Sequence, residues 1–126
     1  MLKAKDVMSK KVISVNQDTT AIELAKILYE NRISGVPVVD EKGCLIGVVS
    51  EKDLLSIIFS GNISTTKVSE IMTKNPISFT PETDLDKISL TISERGFRRV
   101  IIVDNKNKVV GIVSRHDIIK IVLDQQ

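Results

Sequence analysis

Gly47-Val48-Val49-Ser50-Glu51-Lys52-Asp53 returns 64 residues later as Gly111-Ile112-Val113-Ser114-Arg115-His116-Asp117. A glycine, a β-branched run, a serine and an aspartate three residues on describe a strand that passes directly into a helix start. The same shift, without a gap, sets Met8 on Met72, Ile13-Ser14 on Ile77-Ser78, Thr19 on Thr83, Val39-Asp40 on Val103-Asp104 and Lys42 on Lys106. Apolar positions follow the same register, with Leu24 on Ile88, Leu28 on Ile92 and Leu54 on Ile118. A fixed-period match over residues 8–58 and 72–122 makes the chain two copies of one unit.

Outward from that stretch, each copy predicts the same elements. An extended segment comes first, at Val12–Val15 and Ile77–Phe79. An amphipathic helix follows. In copy one Thr20 and Glu23 fit a capping box, and Ile22, Leu24, Ala25, Ile27 and Leu28 form the apolar face. In copy two Asp84 is the expected N-cap, before Leu85, Ile88 and Ile92. Val36–Val39 and Leu45–Val49 then flank the polar turn Asp40–Gly43, as Val100–Val103 and Val109–Val113 flank Asp104–Lys108. These runs predict a hairpin buried on both faces, with Pro37 near a strand start. A last helix is expected from Lys52 to about Phe59, and from His116 to about Leu123. It is apolar nearly all round, so a second partner surface is expected beyond its own sheet. The predicted division is repeat 1 over residues 1–60 with a leading helical segment at 2–9, a polar linker at 61–66, and repeat 2 over residues 67–126.

Composition narrows the function. The 126 residues are 42% hydrophobic but only 3% aromatic, so the core is aliphatic and a base-stacking platform for single strands is excluded. The net charge of +2 falls short of the basic excess of a dedicated nucleic-acid binder. A single cysteine, Cys44, and a single histidine, His116, give neither a disulfide nor a Cys/His metal set. No apolar run reaches membrane-span length, and Met1–Asp6 lacks a signal-peptide core. The expectation is a soluble cytoplasmic protein without a membrane partner.

Two strand–helix–strand–strand–helix units that each close on Gly-apolar-Val-Ser-x-x-Asp resemble the tandem cystathionine-β-synthase (CBS) domain pair, or Bateman module. The resemblance rests on Val36-Pro37-Val38-Val39-Asp40 with Gly47–Asp53, on Val100–Asp104 with Gly111–Asp117, and on the leading Asp6-Val7-Met8 and Glu70-Ile71-Met72. It implies an α+β fold of two β-α-β-β-α repeats related by a pseudo-two-fold. Each repeat would be a small three-stranded sheet with two helices.

Ser50 with Asp53, and Ser114 with Asp117, have two readings. As caps, the serine and the acid three residues on satisfy first-turn amides. As a ligand site, the acid accepts vicinal ribose hydroxyls, while the serine and the helix start hold phosphate. The resemblance implies ribose binding by these aspartates, in a cleft between the repeats. One site would use Asp53 and Ser50, with Arg98, Arg99 and His116 against the phosphates and Val48 and Ile77 framing the base. The other would use Asp117 and Ser114, with Ile112, Ile13 and Ser34 beside the base and Lys52 reaching the phosphates. Arg is suited to phosphate by its planar fork; the bland alternative is a solvated basic edge. Gly47 and Gly111 interrupt strands, which fits close packing of another segment or close approach of a ligand. Cys44 reads as incidental, and His116 has no partner for general-base work.

The expected function is regulatory: an adenine nucleotide (AMP, ADP or ATP) binds, no cofactor is required, and the signal passes to an effector protein in trans. The wide apolar helices agree with a homodimer. No nucleophile–base pair, metal set or Gly-rich phosphate loop suggests an enzyme. Three alternatives stay open: a ligand-free dimerisation or interaction module, an S-adenosylmethionine binder, and a nucleic-acid binder using Arg98, Arg99 and Arg115.

Overall fold

The repeat carries through to the backbone. In the computed structural model, which describes residues 1–126, a short helix α1 (Ala4–Val7) leads into β1 (Val15–Asn16), α2 (Ala21–Asn31), β2 (Gly35–Val39), β3 (Leu45–Ser50) and α3 (Glu51–Leu55). The second series is α4 (Val68–Ile71), β4 (Thr73–Lys74), β5 (Ser78–Phe79), α5 (Leu85–Arg95), β6 (Arg99–Val103), β7 (Val109–Ser114) and α6 (Arg115–Asp124). The fold is α+β, as expected.

The chain forms two compact units, Ile13–Pro76 and Met1–Val12 with Ile77–Gln126. The leading segment 2–9, expected with residues 10–60, thus packs with residues 77–126, and residues 61–76 pack with 13–60. Sequence repeat and compact unit have different boundaries.

In the Ile13–Pro76 unit the sheet order is β1-β2-β3-β4, one strand more than expected. β1 runs parallel to β2, while β2–β3 and β3–β4 are antiparallel. β1 starts later than the predicted Val12 because its ladder is only Val15↔Val38 and Asn16↔Val39. Leu24, Val36, Val38, Val49 and Val68 are fully or almost fully buried in its core. Thr20 caps α2 as predicted: Glu23 N donates to Thr20 Oγ1 at 3.3 Å, and Thr20 N donates to Glu23 Oε1 at 3.0 Å. α3 ends at Leu55, short of the expected Phe59, where the Ser56 hydroxyl donates to Asp53 O and the chain turns through Ile57 N to Leu54 O.

In the other unit the sheet is β5-β6-β7, with β5 parallel to β6 and beginning at Ser78. Its core holds Ala4, Ile88, Ile102, Val100 and Val113. Asp84 stands at the N-cap of α5, but its side chain makes no cap bond; it accepts Lys3 Nζ at 3.0 Å instead. The two hairpins share a register shift, at Val38/Val39 and Ile102/Val103. β2 and β6 are buried on both faces, as predicted. β3 and β7 alternate, because one face of each is only half covered.

Gly47 and Gly111 are explained by close packing. A Cβ on Gly47 would lie 2.6 Å from Met72 Sδ and 2.9 Å from Thr73 O; on Gly111 its three nearest atoms would all belong to Met8, with Sδ at 2.6 Å and Cβ at 3.2 Å. A thioether can swing aside, whereas a strand carbonyl moves only with its ladder. Gly47→Ala is therefore expected to cost about 1–3 kcal/mol, and Gly111→Ala less, by urea unfolding. Met8→Ala should recover part of the Gly111→Ala loss, since its Cβ stays 3.2 Å away, while Met72→Ala should leave most of the Gly47→Ala loss in place.

The Glu23 carboxyl is held below its ordinary value of 4.5, first by the Thr20 backbone N–H and then by the Thr20 hydroxyl. A lowered carboxyl pKa gives stability that is complete above the ordinary value and lost as pH falls through the lowered one. The stability difference between the parent and Glu23→Gln should accordingly shrink on acidification below pH 4.5, as read by denaturant midpoints across that range.

Candidate functional site

Each hairpin hands over to a helix within one residue, and that junction organises the predicted site. Ser50 (φ −130°, ψ 171°) and Ser114 (φ −107°, ψ 165°) are the last extended residues before α3 and α6. Helix starts leave amides without intrahelical acceptors. Asp53 N donates to Ser50 Oγ at 3.5 Å, and Asp117 N to Ser114 Oγ at 3.1 Å. In return Ser50 N donates to Asp53 Oδ2, and Ser114 N to Asp117 Oδ2, both at 2.9 Å. The first helical amides, Glu51 N and Arg115 N, donate to Ser34 O (2.8 Å) and Arg98 O (3.0 Å).

The cap reading of both serine–aspartate pairs is thus realised. It engages one carboxylate oxygen of each acid: Oδ2 takes the cap bonds, and Oδ1 has no hydrogen bond within the chain. Both acids are half-buried at the mouth of the junction. A capping box and a carboxylate oxygen without a bond in the chain therefore coexist on the same side chain.

The Ile13–Pro76 unit brings together Ser50, Asp53, Ser34, Val48 and Lys52, and Ile13 opens it at 39% exposure. The other unit brings together Ser114, Asp117, Arg98, Arg99, Ile112 and His116, with Ile77 just before β5. The expected pairings of Arg98, Arg99, His116 and Ile77 with Asp53, and of Ile13, Ser34 and Lys52 with Asp117, join residues of different units. The Ile112 amide and carbonyl are both bonded to Ser9 (3.0 and 2.9 Å), and Val48 pairs with Thr73.

The two junctions differ in what flanks them. Ser50 pairs with Gly35, whereas Ser114 pairs with Arg99. Arg99 Nε is buried without a hydrogen-bond partner. An orphaned buried donor is costly, and an acceptor brought by a ligand would relieve it. Arg98 and His116 are exposed, and Arg115 Nε donates to Phe97 O. Sequence reasoning did not find Ser9 and Thr73, which line β7 and β3 beside the junctions. Their signal was the joint recurrence of Met8/Met72 and Gly47/Gly111. No group of three or more His, Cys, Asp or Glu side chains could hold a metal ion, and no helix is long and apolar enough to cross a membrane.

The CBS domain family is matched twice, over residues 4–60 and 68–124, and the chain belongs to that family as a tandem CBS pair. It is 33% identical to L-aspartate semialdehyde sulfurtransferase of Methanocaldococcus jannaschii over 90% of this chain, but only 22% of that enzyme. Across the first curated relatives it matches, the chain spans between 22% and 43% of their length. The CBS domain pair of protein MJ0100, in complex with 5′-methylthioadenosine and S-adenosyl-L-methionine, is similar at TM-score 0.85 and 29% identity, covering 100% of this chain and 99% of that one. CBSX2 of Arabidopsis thaliana, in complex with AMP, is similar at TM-score 0.90 and 28% identity, covering 98% of each. The cytosolic domain of the Mg²⁺ channel MgtE, in complex with ATP, is similar at TM-score 0.82 and 27% identity, covering 94% of this chain and 48% of that one.

The buried Arg99 Nε is an unmet donor, and an apolar side chain of similar reach removes its penalty. Arg99→Met is expected to stabilise the ligand-free chain by about 1 kcal/mol, measured by thermal or urea unfolding.

Proposed function

We propose that this chain is a regulatory module that binds an adenosine-type ligand at its Ser-x-x-Asp junctions and passes the occupancy to a protein partner. The observation that carries the reading is the half-used carboxylate of Asp53 and Asp117. Each cap leaves one carboxylate oxygen without a hydrogen bond in the chain, beside a helix start that favours anions. An acid so placed suits the vicinal hydroxyls of a ribose. Three similar structures hold AMP, ATP, or S-adenosylmethionine with methylthioadenosine, compounds whose shared part is adenosine. Arg98, Arg99 and His116 are proposed to neutralise ligand phosphates, with the buried Arg99 Nε as the best-placed donor. Ile13, Ile77, Val48 and Ile112 are proposed to flank the base, with Ser34 beside them and Lys52 toward phosphate.

Regulation rather than catalysis is the proposed output, because the residues at both junctions suit binding and include no nucleophile–base pair. A ligand that binds only the folded form adds about 2.7 kcal/mol at a hundredfold excess over Kd, so occupancy is readable as stability. A homodimer is also proposed. Leu55 (67% exposed) and Phe59 (99%) follow one junction, and Ile119 (60%) and Leu123 (67%) the other. The same exposed residues favour the second reading, an interaction module that works through these helices without a ligand.

Calorimetric titration with AMP, ADP, ATP and S-adenosylmethionine separates the two. Asp53→Ala and Asp117→Ala are each expected to weaken binding about tenfold or more, as loss of a charged hydrogen bond implies. Because the basic residues are unevenly shared, the two losses should differ between AMP and ATP. Failure of all four compounds to bind the parent protein, or to raise its melting temperature, would leave the interaction module standing.

A further inference from the structure

Residues 2–9 are held to residues 77–126 far more firmly than a connecting segment needs. Ala4 N donates to Thr83 O (2.9 Å), Lys5 N to Pro81 O (3.0 Å), and Leu85 N to Leu2 O (2.8 Å). Lys3 pairs with Asp84 at 3.0 Å and Lys5 with Glu82 at 2.8 Å. Ala4 is fully buried, and Leu2, Val7 and Met8 pack on the core, with Met8 seated against Gly111. The segment ends on a two-way bond with β7: Ser9 N to Ile112 O at 2.9 Å, and Ile112 N to Ser9 O at 3.0 Å.

Ile112 lies two residues before Ser114, and α1 also packs against α6. The segment therefore touches both elements that meet at the Ser114–Asp117 junction: the strand that ends there and the helix that starts there. Anything that sharpens the angle between β7 and α6 acts on the segment, and the reverse holds by linkage.

We propose that Leu2–Ser9 is a regulatory strap, whose docking on β7 and α6 and the occupancy of the Ser114–Asp117 junction by an adenosine-type ligand favour each other. The inference rests on the ligand reading above and adds to it the element through which occupancy is read. The docked strap holds Ile112 and Gly111 in place, so the cap serine and its acid are presented in one geometry. A ligand that needs that geometry binds the docked form better, and so increases its population. A partner that takes hold of the strap lowers ligand affinity by the same factor.

The test uses the full chain and two variants outside the junction. Ser9→Pro removes the amide that donates to Ile112 O, and Lys5→Ala removes the ion pair to Glu82. Amide hydrogen exchange is followed with and without AMP, ATP or S-adenosylmethionine. Bound ligand should slow exchange at Ala4 and Lys5 about tenfold, within the range usual for coupled sites. Ser9→Pro should weaken binding of the same compound by a comparable factor, and Lys5→Ala by a smaller one, since it removes only an exposed ion pair. A compound that binds while strap exchange and variant affinities stay unchanged overturns the strap. If no compound binds, the ligand reading fails on its own, and the ligand-free arm decides the coupling. Exchange at the Ser114 and Asp117 amides then quickens in Ser9→Pro and Lys5→Ala if the strap holds the junction, and unchanged exchange in both variants overturns it.

Discussion

A strand that runs into a helix without a loop must satisfy the first helical amides within a residue or two, because no solvent-exposed turn intervenes. Both hairpins face this demand and meet it identically. A serine in extended conformation accepts from the amide three residues on, and the aspartate there returns a bond to the serine amide. The carbonyl at the residue before β2 or β6 takes the next free amide, so the start of one strand is tied to the start of the helix after the other. The direction of α3 and α6, the exposure of their apolar faces and the placement of the acids all follow from this junction.

A second demand comes from the sheets. With β3 and β7 only half covered, each presents an edge that two short strands and a helix do not close. A leading segment closes it in both units: Thr73 pairs with Val48, and Ser9 exchanges both bonds with Ile112. The same segment is anchored beside the following helix by bonds that recur. Val68 N to Thr19 O, Ser69 N to Gln17 O and Ala21 N to Thr66 O in one unit repeat Ala4 N to Thr83 O, Lys5 N to Pro81 O and Leu85 N to Leu2 O in the other. Each segment seats a methionine over a strand glycine. A side chain at that glycine would hold the segment off the strand, so close approach, rather than free rotation, is what the glycine supplies here.

The parts of this arrangement that are local in the chain were legible from residue types. The hairpins followed from β-branched runs around Asp40 and Asp104, whose carboxylates each accept two turn amides at 2.9 Å. The Thr20–Glu23 cap and both Ser-x-x-Asp caps were readable from spacing. Where the reading fell short, a distant partner had intervened. Asp84 looked like a cap but is drawn to Lys3, 81 residues away in sequence. Segment 2–9 opens the first repeat in sequence but packs with residues 77–126, and nothing local says which sheet edge it covers. Helix α3 is shorter than its apolar run because the Ser56 hydroxyl and the following turn bonds end it, whereas Lys120 and Asp124 pair along the last turn of α6. The buried Arg99 Nε depends on packing that no spacing encodes.

The two copies also show which residues answer to folding and which do not. The cap serines, the cap aspartates, the strand glycines and the methionines over them are the same in both, and each has a structural duty. The residues flanking the junctions differ: Gly35 against Arg99, Ser34 against Arg98, and Glu51-Lys52 against Arg115-His116. Folding does not require that difference, because both junctions are built with the same bonds. A Cβ at Gly35 would sit 3.2 Å from Val49 O, a tight contact with a backbone atom, so close packing bears on that glycine as well. Arg99, at the same point of the other copy, keeps a buried nitrogen unpaired in the ligand-free chain. A cost carried at one junction and not at its twin comes from the flanking residue and not from the cap, since the two caps are built alike.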